Sequence, residues 1–236
     1  AASSTYTLGG LMGSRNINMN GKTLNLNYWD TTTIYSGQLS NGSIVKKGEG
    51  TLPLSGQNTY TGTTKIETGA LQAGVNNALS DSTVVTIESD GTYDLNDFSD
   101  TVGSIAGAGQ ITLGSGALTA GGDNSSTEFS GVISETGSFT KTGTGKLTLS
   151  GANTHSGGTI ISGGTLQIGN NGTSGSIAGN IANNAALIWH RSDSVSYGGA
   201  ISGTGTLEKK GAGTLLLTSG SSSYSGVTTI TEGAIR

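Results

Sequence analysis

The chain has 236 residues, of which 42 are glycine, one is proline and none is cysteine; 11% are charged and the formal net charge is -4. So few charges exclude a chain held open by self-repulsion and leave no basic patch for nucleic acid, and the lack of cysteine excludes disulfides, thiolate chemistry and a Cys-ligated zinc site. No run of roughly 18 apolar residues is present, so direct membrane insertion is not expected, and an export signal or anchor is expected to lie outside this chain.

Residues 1 to 45 acquire a pattern when laid on residues 101 to 140. Leu8, Gly9, Leu11, Gly13, Ile17, Met19, Leu24, Tyr35 and Gly37 fall on Val102, Gly103, Ile105, Gly107, Ile111, Leu113, Leu118, Phe129 and Gly131, all at an offset of 94. Residues 46 to 74, KKGEGTLPLSGQNTYTGTTKIETGALQAG, are written again at 141 to 169 as KTGTGKLTLSGANTHSGGTIISGGTLQIG, and a third time at 209 to 236. Lys46, Gly48, Gly50, Leu52, Leu54 and Tyr60 correspond to Lys141, Gly143, Gly145, Leu147, Leu149 and His155, and to Lys209, Gly211, Gly213, Leu215, Leu217 and Tyr224. Glycine this frequent would mean disorder in a sequence without a period; here the period makes it an array.

Each unit carries its own local program. Leu147 and Leu149 are flanked by polar residues, so an extended chain turns both the same way. Thr159 to Ile161 and Thr165 to Ile168 are further short strands, and glycine pairs between them supply tight corners. Residues 75 to 100 continue the strands, with Thr83, Val85 and Ile87 alternating before an Asp90-Gly91 corner and Tyr93 and Leu95 after it. Residues 170 to 196 form a shorter bridge with Ile177, Ile181 and Ala185 to Trp189 as strand positions, and the third unit resumes at Tyr197-Gly198-Gly199. Repeat units 7-74, 101-169 and 197-236 are thus expected in one elongated domain spanning 1-236. At an offset of 94, Ala1 matches mid-strand Leu95, and the third copy stops at Ile235-Arg236, so the chain reads as a piece of a longer array.

The expected fold is all-β. No helical periodicity with caps is present, and Asn-Gly or Asp-Gly turns are too few for a sandwich of hairpins. A parallel β-helix remains, with about ten coils of roughly 20 to 25 residues, a length of about 50 Å, and a given position in one coil meeting its equivalent in the next. Leu52, Leu54, Leu147, Leu149, Leu215 and Leu217 are expected inside.

The pattern K-x-G-x-G-x-L-x-L-S-G-x-N-T-Y-x-G-x-T resembles the passenger-associated transport repeat of Gram-negative autotransporters, closely in the first two copies and with Ser219 to Ser223 replacing S-G-x-N-T in the third. The resemblance implies a right-handed parallel β-helix, at the cell surface or released, exported through a C-terminal outer-membrane barrel. It implies a structural stalk that assists passenger folding and secretion. Its partners would be the rest of the parent passenger and that barrel, with a host surface or a second copy as further candidates. An adhesin or self-association module is the alternative reading, and a carbohydrate-active β-helix enzyme a second one.

No catalytic residue or cofactor is expected. His155 is most simply a variant of the aromatic at Tyr60 and Tyr224. His190, Ser192 and Asp193 have the residue types of a relay, but adjacent strand residues point to opposite faces. Asp90, Asp94, Asp97 and Asp100 form the one acidic cluster, a weak candidate for calcium. Lys46, Lys141 and Lys209 are expected to lay their stems on the apolar wall with ammonium groups in water, and Asn58 and Asn153 are too few to make an adhesive stripe.

Overall fold

A computed structural model describes residues 4–26 and 34–236. Ala1 lies outside the described residues, as do residues 27–33 within the first repeat unit. Every regular element among the described residues is a β-strand, and no helix is long and apolar enough to cross a membrane.

The strands wind as a solenoid of parallel rungs. One column of positions can be followed through Leu26, Lys46, Ile66, Ile87, Gly107, Phe129, Leu149, Ile168, Trp189, Lys209 and Ile230, each in parallel register with the next. The step varies from 19 residues, Leu149 to Ile168, to 22, Gly107 to Phe129. At about 4.8 Å per rung these positions alone span roughly 50 Å. A second wall stacks Asp100, Leu118, Phe139, Thr159, Ile181 and Ile201 in a six-stranded parallel sheet. A third contains Leu52, Leu71, Tyr93, Ile111 and Ile133, and further on Val195, Leu215 and Ile235. The bridges at 75–100 and 170–196 are full members of this stack.

Alternation places the core. In Thr64–Ala73 and Val84–Asp94 every second residue is buried on either side of a corner, where a register shift takes the chain from the first wall to the third without ending the strand. Leu52, Leu54, Leu147, Leu149 and Leu215 are buried, while Leu217 is half-buried against the core. The aromatic rungs need glycine two residues on: a Cβ at Gly37, Gly131 or Gly199 would lie 2.4 to 2.7 Å from the Tyr35, Phe129 or Tyr197 ring or its hydroxyl.

Parallel register runs from coil to coil as expected, but like residues do not all lie above like residues. Equivalent repeat positions do not lie over one another from the first unit to the second: Leu26 to Ile230 is 204 residues in ten steps, 20.4 per coil, so an offset of 95 is about 4.7 coils, not a whole number. Lys46 stacks between Leu26 and Ile66 on the first wall, whereas Lys141 stacks between Ala120 and Ile161 on the second. Lys209 returns to the first wall, between Trp189 and Ile230. The middle unit is therefore rotated by one wall, and Leu149 rests between Phe129 and Ile168.

Leu149 is fully buried, so Leu149→Ala should lower unfolding stability by about 2 to 5 kcal/mol in urea titrations, with Leu217→Ala below that range. Lys146→Ala, at an exposed neighbour, should stay within about 0.5 kcal/mol.

Candidate functional site: the internal polar corners

The repeated polar residues converge on the corners, on the inside. Lys46, Lys141 and Lys209 occupy inward strand positions and are 0%, 1% and 0% exposed. Their ammonium groups do not reach water as expected; they turn onto backbone carbonyls. Lys46 Nζ donates to Lys47 O at 3.2 Å, Gly48 O at 2.7 Å and Thr68 O, in the next coil, at 3.2 Å. Lys141 Nζ donates to Thr142 O, to Gly143 O at 3.4 Å and to Gly163 O at 3.4 Å. Lys209 Nζ repeats the first two bonds, to Lys210 O at 2.7 Å and Gly211 O at 2.6 Å.

The K-x-G spelling follows from this geometry. Gly48, Gly143 and Gly211 take φ values of 78°, 67° and 78°, and that bend lets consecutive carbonyls face the lysine. The coil above needs glycine as well: a Cβ at Gly69, Gly164 or Gly233 would lie 2.4, 2.3 or 2.2 Å from the carbonyl oxygen of Gly48, Gly145 or Gly213. An ammonium has three donors and no acceptor, which suits a cage of carbonyls that water cannot reach. Burial pulls the Lys141 and Lys209 pKa values down, opposed by the charges of Asp123 and Glu232 respectively.

The N-T-Y part of the motif supplies a second device. Asn58 Oδ1 accepts from Leu39 N at 2.7 Å, and its amide donates to Ala78 O at 2.6 Å and Gly56 O at 3.0 Å. Asn153 does the same with Ile133 N at 3.0 Å, Ser176 O at 3.1 Å and Gly151 O at 3.2 Å. In the third copy Ser222 Oγ takes the acceptor role, from Ile201 N at 3.2 Å. Both asparagines are buried and belong to no external stripe.

The aromatic position bonds the hydroxyl of the threonine four residues on in every copy: Tyr60 to Thr64 at 2.6 Å, His155 to Thr159 at 2.9 Å, Tyr224 to Thr228 at 2.8 Å. His155 sits edge-on to Phe139 with ring centroids 6.3 Å apart. Burial holds its pKa down at about 4, and its Nδ1 has no hydrogen-bond partner. It is a neutral ring in a tyrosine's place.

The acidic cluster is taken apart by the winding. Asp94 accepts from Gln72 Nε2 at 2.7 Å and Thr112 Oγ1 at 2.9 Å, and Asp97 from Ser115 N at 2.8 Å. Asp90 is exposed. Asp100 is buried, accepting from Leu79 N at 3.0 Å, Thr101 N at 2.8 Å and the Tyr93 hydroxyl, and burial raises its pKa to about 6. Among the described residues no group of three or more His, Cys, Asp or Glu could hold a metal ion.

His190, Ser192 and Asp193 are likewise not brought together as a relay. His190 is in register with Lys210, while both Asp193 carboxylate oxygens accept from Arg191, at 2.8 and 2.7 Å. Arg191 is the residue the sequence reading missed. It is 8% exposed and clasps a loop by donating to Gly175 O at 2.7 Å and Thr173 O at 2.5 Å. Extending the inward alternation of Leu187 and Trp189 by one step would have found it.

Three stretches, residues 44–73, 139–168 and 207–236, match the family model described as the passenger-associated-transport-repeat. The chain is also 45% identical over 178 residues to the adhesin BmaC autotransporter of Brucella suis biovar 1 (strain 1330), a match that covers 75% of this chain and 5% of that protein. The chain thus spans about one twentieth of the length of the curated relative it matches. No solved structure matches it.

Two outcomes follow from the corners. Lys141→Met keeps the stem but leaves carbonyls unpaired, so it should cost about 1 to 3 kcal/mol in urea titrations, whereas a neutral or stabilising result would show the ammonium to be dispensable. The His155 pKa is lower folded than unfolded, so its stabilisation is complete above pH 6.5 and drains away as pH falls towards 4. His155→Tyr should abolish that acid loss, on the order of 3 kcal/mol between pH 7 and pH 4. Asp100, with a raised pKa, works in the opposite sense: its contribution is present below pH 3.8 and is lost as pH rises through about 6. The histidine effect is therefore best read as a difference between variant and parent at each pH.

Proposed function

We propose that this chain, which carries three passenger-associated transport repeats, is part of an autotransporter passenger and serves as a β-helical stalk assisting passenger folding and outer-membrane secretion. The observation that carries this reading is the size of the folding step. Each rung pairs with residues only 19 to 22 positions away, and the Lys46 and Lys141 corners are completed by the very next coil. Short loop closures are entropically cheap, so coils can be added one at a time as extended chain emerges from a pore. Every coil completed outside opposes backsliding.

On this reading the partners are the rest of the passenger and a C-terminal outer-membrane barrel, and the working location is the cell surface or the medium. The role is structural and non-enzymatic. In support, the acids and the histidine named above are each engaged separately in holding strands and corners. Adhesion is the second reading, favoured by one observation: the relative that shares 45% identity is named an adhesin.

The test is export. Placed ahead of an autotransporter barrel, the chain with Lys46→Met, Lys141→Met and Lys209→Met combined should reach the cell surface less well than the parent, scored by protease accessibility on whole cells. If the triple variant is less stable in solution but exported at the parental level, coil formation does not assist secretion.

A further inference from the structure

Asparagine followed by glycine is prone to rearrange unaided, because glycine has no side chain to hinder its nitrogen from attacking the asparagine side chain. The chain has three such pairs, at Asn20, Asn41 and Asn171. All three asparagines are exposed and turn corners with positive φ, of 53°, 50° and 60°. The winding treats the glycines that follow them differently.

Asn41-Gly42 is locked. Gly42 is buried in register with Lys22, and its carbonyl accepts from Gly62 N at 2.9 Å. A Cβ there would strike the Lys22 carbonyl oxygen and lie 2.6 Å from Met19 Cβ, so the peptide plane has no room to swing. The Asn41 side-chain amide is itself tied to Asn18 Oδ1 at 3.3 Å. Asn171-Gly172 is tethered: Gly172 is in register with Arg191 and accepts from Ser192 N at 3.0 Å, while the Arg191 guanidinium holds Thr173 O and Gly175 O. Asn20-Gly21 is neither. The ladder to the next coil shifts between Asn18 and Lys22 and skips residues 19 to 21, and the pairing with Thr5–Thr7 begins only at Thr23. Nothing lies within 4 Å of a Cβ placed on Gly21. The corner's bond from Asn20 N to Asn18 Oδ1, at 2.9 Å, uses the Asn20 backbone and leaves its side chain open.

We infer that Asn20 is a site of spontaneous modification, its amide converted to a carboxylate through a cyclic imide. The Gly21 nitrogen attacks Asn20 Cγ, a C–N bond forms, and the side-chain nitrogen leaves as ammonia, taking up the proton that Gly21 gives away. Water then opens the ring at either carbonyl, giving aspartate or isoaspartate. One water is consumed and one ammonia released, with no oxidant and no enzyme. Ring closure needs a turn of the peptide, which a paired glycine makes only when its coil opens, so stacking sets the order: Asn20 first, Asn171 after it, Asn41 last. The product adds one negative charge to a chain of formal net charge -4, at an exposed corner outside the core, so the modified solenoid stays wound and carries a record of its age.

The test is ageing of the purified chain. Kept in mildly alkaline heavy-oxygen water for days to weeks, it should gain an acidic band on isoelectric focusing, with peptide mass mapping placing the incorporated oxygen at Asn20. Conversion of Asn20 should run at least about tenfold ahead of Asn41 in the folded chain, and the three sites should draw level in guanidinium chloride, where no coil protects them. Asn20→Asp, its fold checked by circular dichroism, should start at the acidic position and gain no further band over the same interval. A parent that keeps a single band, Asn41 converting as early as Asn20 in the folded chain, the same order of sites persisting in guanidinium chloride, or a new acidic band from Asn20→Asp would each overturn the proposal.

Discussion

Turning a corner inside a dry interior is the constraint on which this fold depends. A coil of about 20 residues must change direction repeatedly, and each change ends or shifts the strand ladder and aims backbone groups at a core that water does not enter. The chain answers with side chains chosen by donor count. Where carbonyls cluster, as behind Gly48, Gly143 and Gly211, it uses a lysine, which only donates. Where an amide and carbonyls must be joined across three coils, as around Leu39 and Ala78, it uses asparagine, which does both. Polar residues thus occupy positions that strand parity reserves for the core, and the charged ones are retained because their removal would leave the backbone orphaned.

This explains which parts of the structure could be read in advance. Alternation at Leu52 and Leu54 or Leu147 and Leu149, together with corner glycines, reports burial and turning directly, and from these the all-β parallel solenoid follows. Stacking could not be read in the same way. The motif lysines Lys46, Lys141 and Lys209 are 95 and then 68 residues apart, and alignment shows which residues are alike without showing the angle between them. Only the pairing of Lys141 with Ala120 and Ile161 reveals the rotation by one wall. The direction of the lysine head escaped for a different reason: a long amphipathic side chain usually finds water, and nothing local to Lys46 announces that Thr68, 22 residues on, completes a carbonyl cage. The acidic cluster misled through proximity in sequence, since strand alternation sends Asp100 inward while Asp97 stays on an exposed corner.

The rotation of the middle unit also bears on why the coils find one register. In a solenoid of identical coils a slip by one rung would restore nearly every contact and cost little. Here a position's neighbours differ in size: Phe129 rests between Gly107 and Leu149, and Trp189 between Ile168 and Lys209. A one-coil slip that set Leu149 on Gly107 would leave the volume of an aromatic ring unfilled, and would move the Lys141 ammonium away from the carbonyl of Gly163. Local sequence similarity allows each unit to form its own corners, and the unequal stacking partners then ensure that the units join in only one way. A chain that folds from one end as it emerges needs both properties, because an early misplaced coil would become the template for every coil after it.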